Sequence, residues 1–232
     1  MEWGVLVPTL VGGAISLVTS IVMFGAAQAF DRRQSKSEHR IAEIRSSYVG
    51  LQKLMKTANT VLSLKRHIDA EFESAKLDGD ISKMEASAIV KPIIGARGHI
   101  EQLSADECAF LAGEKGAKLL SDIWVIERRA ISNEVTIEKY NELKFDFIAF
   151  TEKSASELKG LASSKLELEF SEANASIAKM RIGAMNSVIG SLIAHLEKDA
   201  CQIKTVVERY VEQAVEKFGS DFPMQSIEWL EG

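Results

Sequence analysis

From Trp3 to Phe30 the chain carries no charged residue. After Asp31, charged and apolar positions alternate at helical spacing almost to the C-terminus. The uncharged window is 28 residues long, and about 20 residues at a 1.5 Å rise cross a hydrocarbon layer of ~30 Å. A transmembrane helix is the direct reading, with Pro8 tolerated in a first turn and Trp3 and Phe30 near the two interfaces. Ala27-Gln28-Ala29 has the small-x-small shape of a signal-peptidase site, so a cleaved leader over residues 1–29 is the alternative. A leader wants basic residues before its apolar run, whereas here Glu2 precedes it. Arg32, Arg33, Lys36, Arg40 and Arg45 follow it instead. Basic residues flanking a span stay in the cytoplasm, which predicts an inner-membrane, single-pass protein with its N-terminus outside and its C-terminal domain inside. Gly12, Ser16 and Ser20, four apart on one face, suit close packing between transmembrane helices and suggest a homo-oligomer.

The polar part reads as helices throughout. Residues 31–76 form one long juxtamembrane helix, with apolar residues at Ile41, Ile44, Tyr48, Leu51, Met55, Ala58 and Leu62 in alternating steps of three and four. Continued by sevens, that stripe meets Lys65 and Asp69. The seam is therefore expected to break there and pass to Val61, Leu64, Ile68 and Phe72. Leu77-Asp78-Gly79-Asp80 is a turn, and Ser82 with Glu85 forms a capping box that opens a second helix running toward Pro92. Ser104 with Glu107 repeats the box and opens a third helix, interrupted around Gly113 and Gly116 and ending near Ile131. Thr136 caps a fourth, which stops or restarts at Ser163 and Ser164. A fifth runs from Lys165 to Phe218, with Gly183 and Gly190 as places for a break or a close contact. Gly219 and Pro223 end it. The implied architecture is all-α: an anchor (1–30), the juxtamembrane helix (31–76), an elongated helical bundle (77–218) with long first and last helices, and a short tail (219–232).

Charge changes this picture in one respect. Of the net −5, residues 31–76 contribute +4, from ten Lys or Arg against six Asp or Glu. The remainder after residue 76 contributes −8. The basic stretch is suited to anionic headgroups, and its interleaved acids argue against nucleic acid as a partner. A mean hydropathy of zero thus averages an apolar span with a polar domain.

Candidate chemistry is sparse. None of His39, His67, His99 and His195 has a Glu three residues before it, and no His-Glu-x-x-His, Cys-x-x-Cys, phosphate-loop or Gly-x-Ser-x-Gly motif occurs. His67 and Glu71 are an i, i+4 pair that reads as a solvated contact, and Asp78-Gly79-Asp80 lacks the Glu that would complete a calcium loop. Cys108, beside Asp106 and Glu107, reads as core packing, and Cys201 as structural. Residues 182–196 carry no formal charge but are short for a span, and read as the central bundle helix. No catalytic, cofactor or metal site is expected. The function read from these features is a membrane-tethered scaffold, sensor or adaptor that binds an unidentified protein partner and is not an enzyme. The alternatives are a membrane-perturbing, holin-like effector and, if a leader is cleaved, a secreted helical binding protein.

Overall fold

The computed structural model describes residues 3–82, 84–95, 100–154, 157–159, 167–169, 171–224, 227 and 229. Before Asp31 it describes the side chains of Met23, Phe24, Gln28 and Phe30 only. The chain divides into two units, Met1–Ser46 and Ser47–Gly232. Three long helices dominate: α1 (Trp3–Asp78), α3 (Glu114–Ser154) and α4 (Glu172–Phe218). A one-turn α2 (Ala86–Ile89) and a 3-10 turn (Ala109–Leu111) lie in the strap between α1 and α3. Two three-residue strands, β1 (Glu157–Lys159) and β2 (Glu167–Glu169), pair antiparallel between α3 and α4, with Leu158 opposite Leu168. The all-α expectation holds with that small addition.

The second unit is organised by one periodicity. Buried positions on α1 fall at Ser47, Gly50, Leu54, Thr57, Val61, Leu64 and Ile68, with Leu51 and Ala58 buried alongside them. On α3 they fall at Gly116, Leu119, Ile123, Ile126, Ala130, Asn133, Ile137 and Tyr140. On α4, Met185, Ile189, Leu192, Leu196, Asp199, Ile203, Val206 and Tyr210 follow the same alternation of three and four. A seven-residue repeat keeps one seam facing its partners over many turns, as in coiled coils. Lys115 pairs with Glu216, Asp122 with Arg209 and Arg129 with Asp199, so α3 and α4 run antiparallel. Val61, Leu64 and Ile68 join Ala130, Ile137, Met185, Ile189 and Leu192 in one apolar cluster.

Several expected boundaries move, each for a visible reason. The hand-over along α1, by contrast, occurs as expected. Leu51 and Ala58 of the first stripe are fully buried, Lys65 and Asp69 are not, and Val61, Leu64 and Ile68 carry the seam on. Ser47, Gly50, Leu54 and Thr57 add a buried edge that the apolar pattern did not show. Tyr48, Met55 and Leu62 are half-buried, and Ile41 is exposed. The expected helix at Ser82 shrinks to four residues. Ser82 N–H donates to Asp80 Oδ1 at 2.9 Å, the Glu85 carboxylate accepts from Asn186 instead of closing a box, and Pro92 disfavours helix at Lys91. The Ser104–Glu107 box does form, with the Ser104 N–H donating to Glu107 Oε2 at 2.8 Å. It is followed only by a 3-10 turn, Ala109–Leu111. The predicted third and fourth helices are one. Thr136 does not cap, since its hydroxyl donates one turn back to Ser132 O at 2.8 Å, in mid-helix. Gly113, at φ +149°, and Gly116 mark the start of α3 and do not interrupt it. The last helix starts at Glu172 and not at Lys165: Ser171 caps it by accepting from Asn174 N–H. Ser163 and Ser164 lie outside the described residues. Gly183 and Gly190 neither break α4 nor make a close contact, because nothing lies within 4 Å of a Cβ built on either. Gly219, at φ +66°, ends it as expected.

At one end of this unit an aromatic cluster closes the core. Phe110 meets Tyr210 edge-on at 4.9 Å and Phe218 at 5.8 Å, while Phe222 stacks near Phe218 and meets Tyr48 edge-on. The Tyr210 hydroxyl lies 2.8 Å from both Ser47 O and Glu107 O, shared between α1 and the strap. That hydroxyl sits 2.5 Å from where a Cβ on Gly50 would be, so residue 50 has room only for hydrogen. The tail past the helix folds back: Phe222 is buried and Trp229 Nε1–H donates to Glu208 at 2.8 Å. The uncharged segment 182–196 packs Met185, Ile189, Leu192 and Leu196 into the core, so bilayer entry would require that face to leave it.

Glycines thus divide into two classes with opposite expected outcomes. Gly183→Ala and Gly190→Ala each raise unfolding stability by about 0.5–1 kcal/mol in urea titrations, the helix-propensity difference on an open face. Gly50→Ala lowers it by roughly 2 kcal/mol through overpacking, and by less in a Tyr210→Phe background where the hydroxyl is gone.

Candidate functional site

The strap is held to the helices by side chains. Asn141 grips the Ile93 backbone at both ends, its Oδ1 accepting from Ile93 N–H and its Nδ2 donating to Ile93 O, each at 2.9 Å. Tyr140 donates its hydroxyl to Val90 O at 2.5 Å, and Lys144 donates to Ser87 O, whose N–H in turn donates to Asn186 Oδ1. Glu127, buried on α3, accepts from Leu103 N–H at 2.9 Å. Buried backbone groups of an extended segment require partners, and here α3 and α4 supply them. Burial pushes the Tyr140 hydroxyl up to about 12, and the Glu71 charge adds to it. Burial also holds the Lys144 amine below its usual range and the Glu127 carboxyl above its own.

Fastened this way, the strap leaves a groove of about 820 Å³ along α1. Tyr48, Met55 and Leu64 line its helix side, and Ile93, Ile94, Gly95 and Met224 the opposite wall. Ile94 is 83% exposed beside the buried Ile93. Gln52, Asn59, Thr60, Ser63 and His67 add hydroxyl, carboxamide and imidazole groups. Lys56, also on the lining, is paired with Glu101 at 2.8 Å. From Tyr48 to His67 the helix side extends about 29 Å at 1.5 Å per residue. Such a surface can hold an elongated, largely apolar group by burial, with polar side chains to orient it.

Two ionic features flank the core. Lys53 Nζ lies 2.8 Å from Glu107 Oε1, on largely buried side chains. Burial opposes ionisation of Glu107, yet the hydrogen bonds from Lys53 and Ser104 outweigh it and hold the carboxyl below its usual range. The hydrogen bond to Glu107 chiefly holds Lys53 above its own. Between α3 and α4, Arg129 Nη1 approaches Asp199 Oδ1 at 2.9 Å, without the alignment of a hydrogen bond. Asp199 is fully buried and Asn133 is 2% exposed beside it. Burial raises the Asp199 carboxyl, outweighing the opposing influence of Arg129, His195, Lys198 and Asn133.

The residues singled out from sequence do not converge on this groove. Gly12, Ser16 and Ser20 have side chains outside the described residues, and the basic Arg32, Arg33, Lys36, Arg40 and Arg45 are exposed in the first unit. His67 lines the groove, but Glu71 pairs with Lys91 at 3.4 Å, so the two do not act as a ligand pair. Asp78-Gly79-Asp80 is the expected turn. Cys108 is buried, as expected, its thiol pushed up to about 11 by burial and by Glu127 and Glu107. Cys201 is exposed on α4. Among the described residues no group of His, Cys, Asp or Glu is placed to hold a metal ion. The Asn141 and Asn186 grips and the pairing of Arg129 with the buried Asp199 escaped the sequence reading, because they join residues about 50 to 100 positions apart or polar residues set in an apolar stripe. No known protein family matches the chain, and no curated protein or solved structure is significantly similar to it.

The Lys53–Glu107 pair carries a pH signature. A depressed carboxyl contributes stability that is present above its unfolded value, about 4.3, and lost as pH falls through its folded one. Glu107→Gln is expected to cost roughly 1–2 kcal/mol at pH 7. The gap from wild type narrows as pH falls below about 4, read from urea midpoints at each pH.

Proposed function

We propose that this protein is a membrane-tethered helical scaffold or adaptor, anchored in the cell membrane through residues 3–30 and acting through protein contacts of its helical domain. The supporting observation is that uncharged window, which is helical and forms the first part of the unbroken α1. Its described apolar side chains, Met23, Phe24 and Phe30, are each about two-thirds exposed and so uncovered by the chain itself. Among the described residues no helix is long and apolar enough to cross a membrane. Most side chains of the window lie outside that description, so the reading rests on the sequence and the helical backbone. Exposed basic groups from Arg32 to Arg45 match a cytoplasmic membrane surface, where each contributes about 1 kcal/mol of attraction to anionic lipid. The topology that follows is an external N-terminus with the domain inside, and Gly12, Ser16 and Ser20 as the face for self-association. The groove along α1 is the first place to look for partner contacts.

The full chain is expected to sediment with membranes and resist alkaline extraction. Leu17→Arg with Val18→Asp, at about 3 kcal/mol for each charge at a span centre, releases it. Wild-type chain recovered in the soluble fraction would contradict the tether. A reporter fused after Gly232 that is active only outside the cell would reverse the topology.

A further inference from the structure

We propose that the layer made by buried Asn133 and Asp199 with the half-buried Arg129 is the register lock of the α3–α4 pair. Asn133 and Asp199 occupy seam positions, seven residues from Ile126 and Tyr140 on one helix and from Leu192 and Val206 on the other. Every other layer of the central seam is aliphatic, alanine or tyrosine, from Ile123 to Tyr140 and from Met185 to Tyr210. A strict seven-residue repeat of apolar side chains is degenerate, because sliding one helix by seven positions again puts apolar against apolar. The connection from residue 155 to 171 is 17 residues long, which does not by itself prevent such a slide. Surface pairs such as Asp122 with Arg209 are too exposed to decide between the registers.

The polar layer does decide. In the observed register the Asp199 carboxylate, with no exposed surface, meets the Arg129 guanidinium and lies against Asn133. After a slide of seven, Asp199 would stand against Asp122 and Ile126 or against Thr136 and Tyr140, with no cation in the place of Arg129, and Arg129 would lose its acid. An unpaired buried charge is far costlier than a paired one, whereas a pair is seldom more stable than apolar residues of the same volume. The layer therefore discriminates between registers without adding to stability. The burial-raised Asp199 carboxyl is consistent with that balance.

The test replaces the layer with apolar side chains, Arg129→Met, Asn133→Leu and Asp199→Leu together, in the full chain. Cys108→Ala and Cys201→Ser remove the native thiols, and spin labels at introduced Asp122→Cys and Arg209→Cys report the α3–α4 distance. The parent gives one short distance. The apolar variant is expected to be at least as stable to urea and to add a second, longer-distance population. An axial slide of about 10 Å (seven residues at 1.5 Å) lengthens an interhelical separation of about 10 Å by roughly 5 Å. Asp199→Asn alone, which keeps the shape and removes the charge, gives the second population in smaller amount. A single, parent-like distance in the apolar variant overturns the proposal. So does a variant that is less stable than the parent or unfolded, because the layer would then be ordinary stabilising core.

Discussion

Three helices of more than forty residues can share one seam only if their buried positions recur every seven residues, and everything in the second unit follows from that spacing. An undistorted helix drifts about 20° per heptad relative to such a repeat. A 3.6 pattern would therefore carry the buried face of α4 away from α3 within a few turns. Unbroken steps of three and four keep the seam in place from Gly116 to Tyr140 and from Met185 to Tyr210. The same spacing on α1, from Ser47 to Ile68, completes the three-helix core. Once the seam is set, local propensity loses its authority: Thr136, Gly183 and Gly190 sit inside continuous helices because packing over many turns outweighs about 1 kcal/mol at each position.

The seam is closed at one end by an aromatic anchor and covered on one side by the strap. Tyr210 reaches past Gly50 to the carbonyls of Ser47 and Glu107, so α4, α1 and the strap meet at one hydroxyl. Among the described residues the strap has no sheet partner, and Asn141, Asn186, Tyr140, Lys144 and Glu127 bind its backbone instead. This arrangement holds Ile93 down while leaving Ile94 outward, which creates the groove beside α1. Groove and core thus share a cause, since the grips that bury one face of the strap position the other.

Much of the helical architecture was legible in the sequence, and the failures share a physical origin. Counting apolar residues located α1, the long last helix and its Gly219 terminus. On α1 it found Leu51, Ala58, Val61, Leu64 and Ile68 but missed the adjoining buried edge, because Ser47, Gly50 and Thr57 there are small or polar. It split α3 at Gly113 to Gly116 and Thr136, where local capping signals were read without knowing that the flanking seam continued. The Ser104–Glu107 box formed but led only into a 3-10 turn, while Ser82 and Glu85 were drawn to Asp80 and Asn186. The groove and the Arg129–Asp199 pair depend on contacts tens of residues apart, which local periodicity does not encode.

Native-state amide hydrogen exchange tests the continuous seam most directly. If α3 and α4 are held as single elements by one seven-residue repeat, amides across Ile131–Thr136 and Gly183–Gly190 exchange as slowly as those of Ile123 and Val206, through the same global opening. Rapid exchange confined to either stretch would mean the helices break there, and the account of the fold would be wrong.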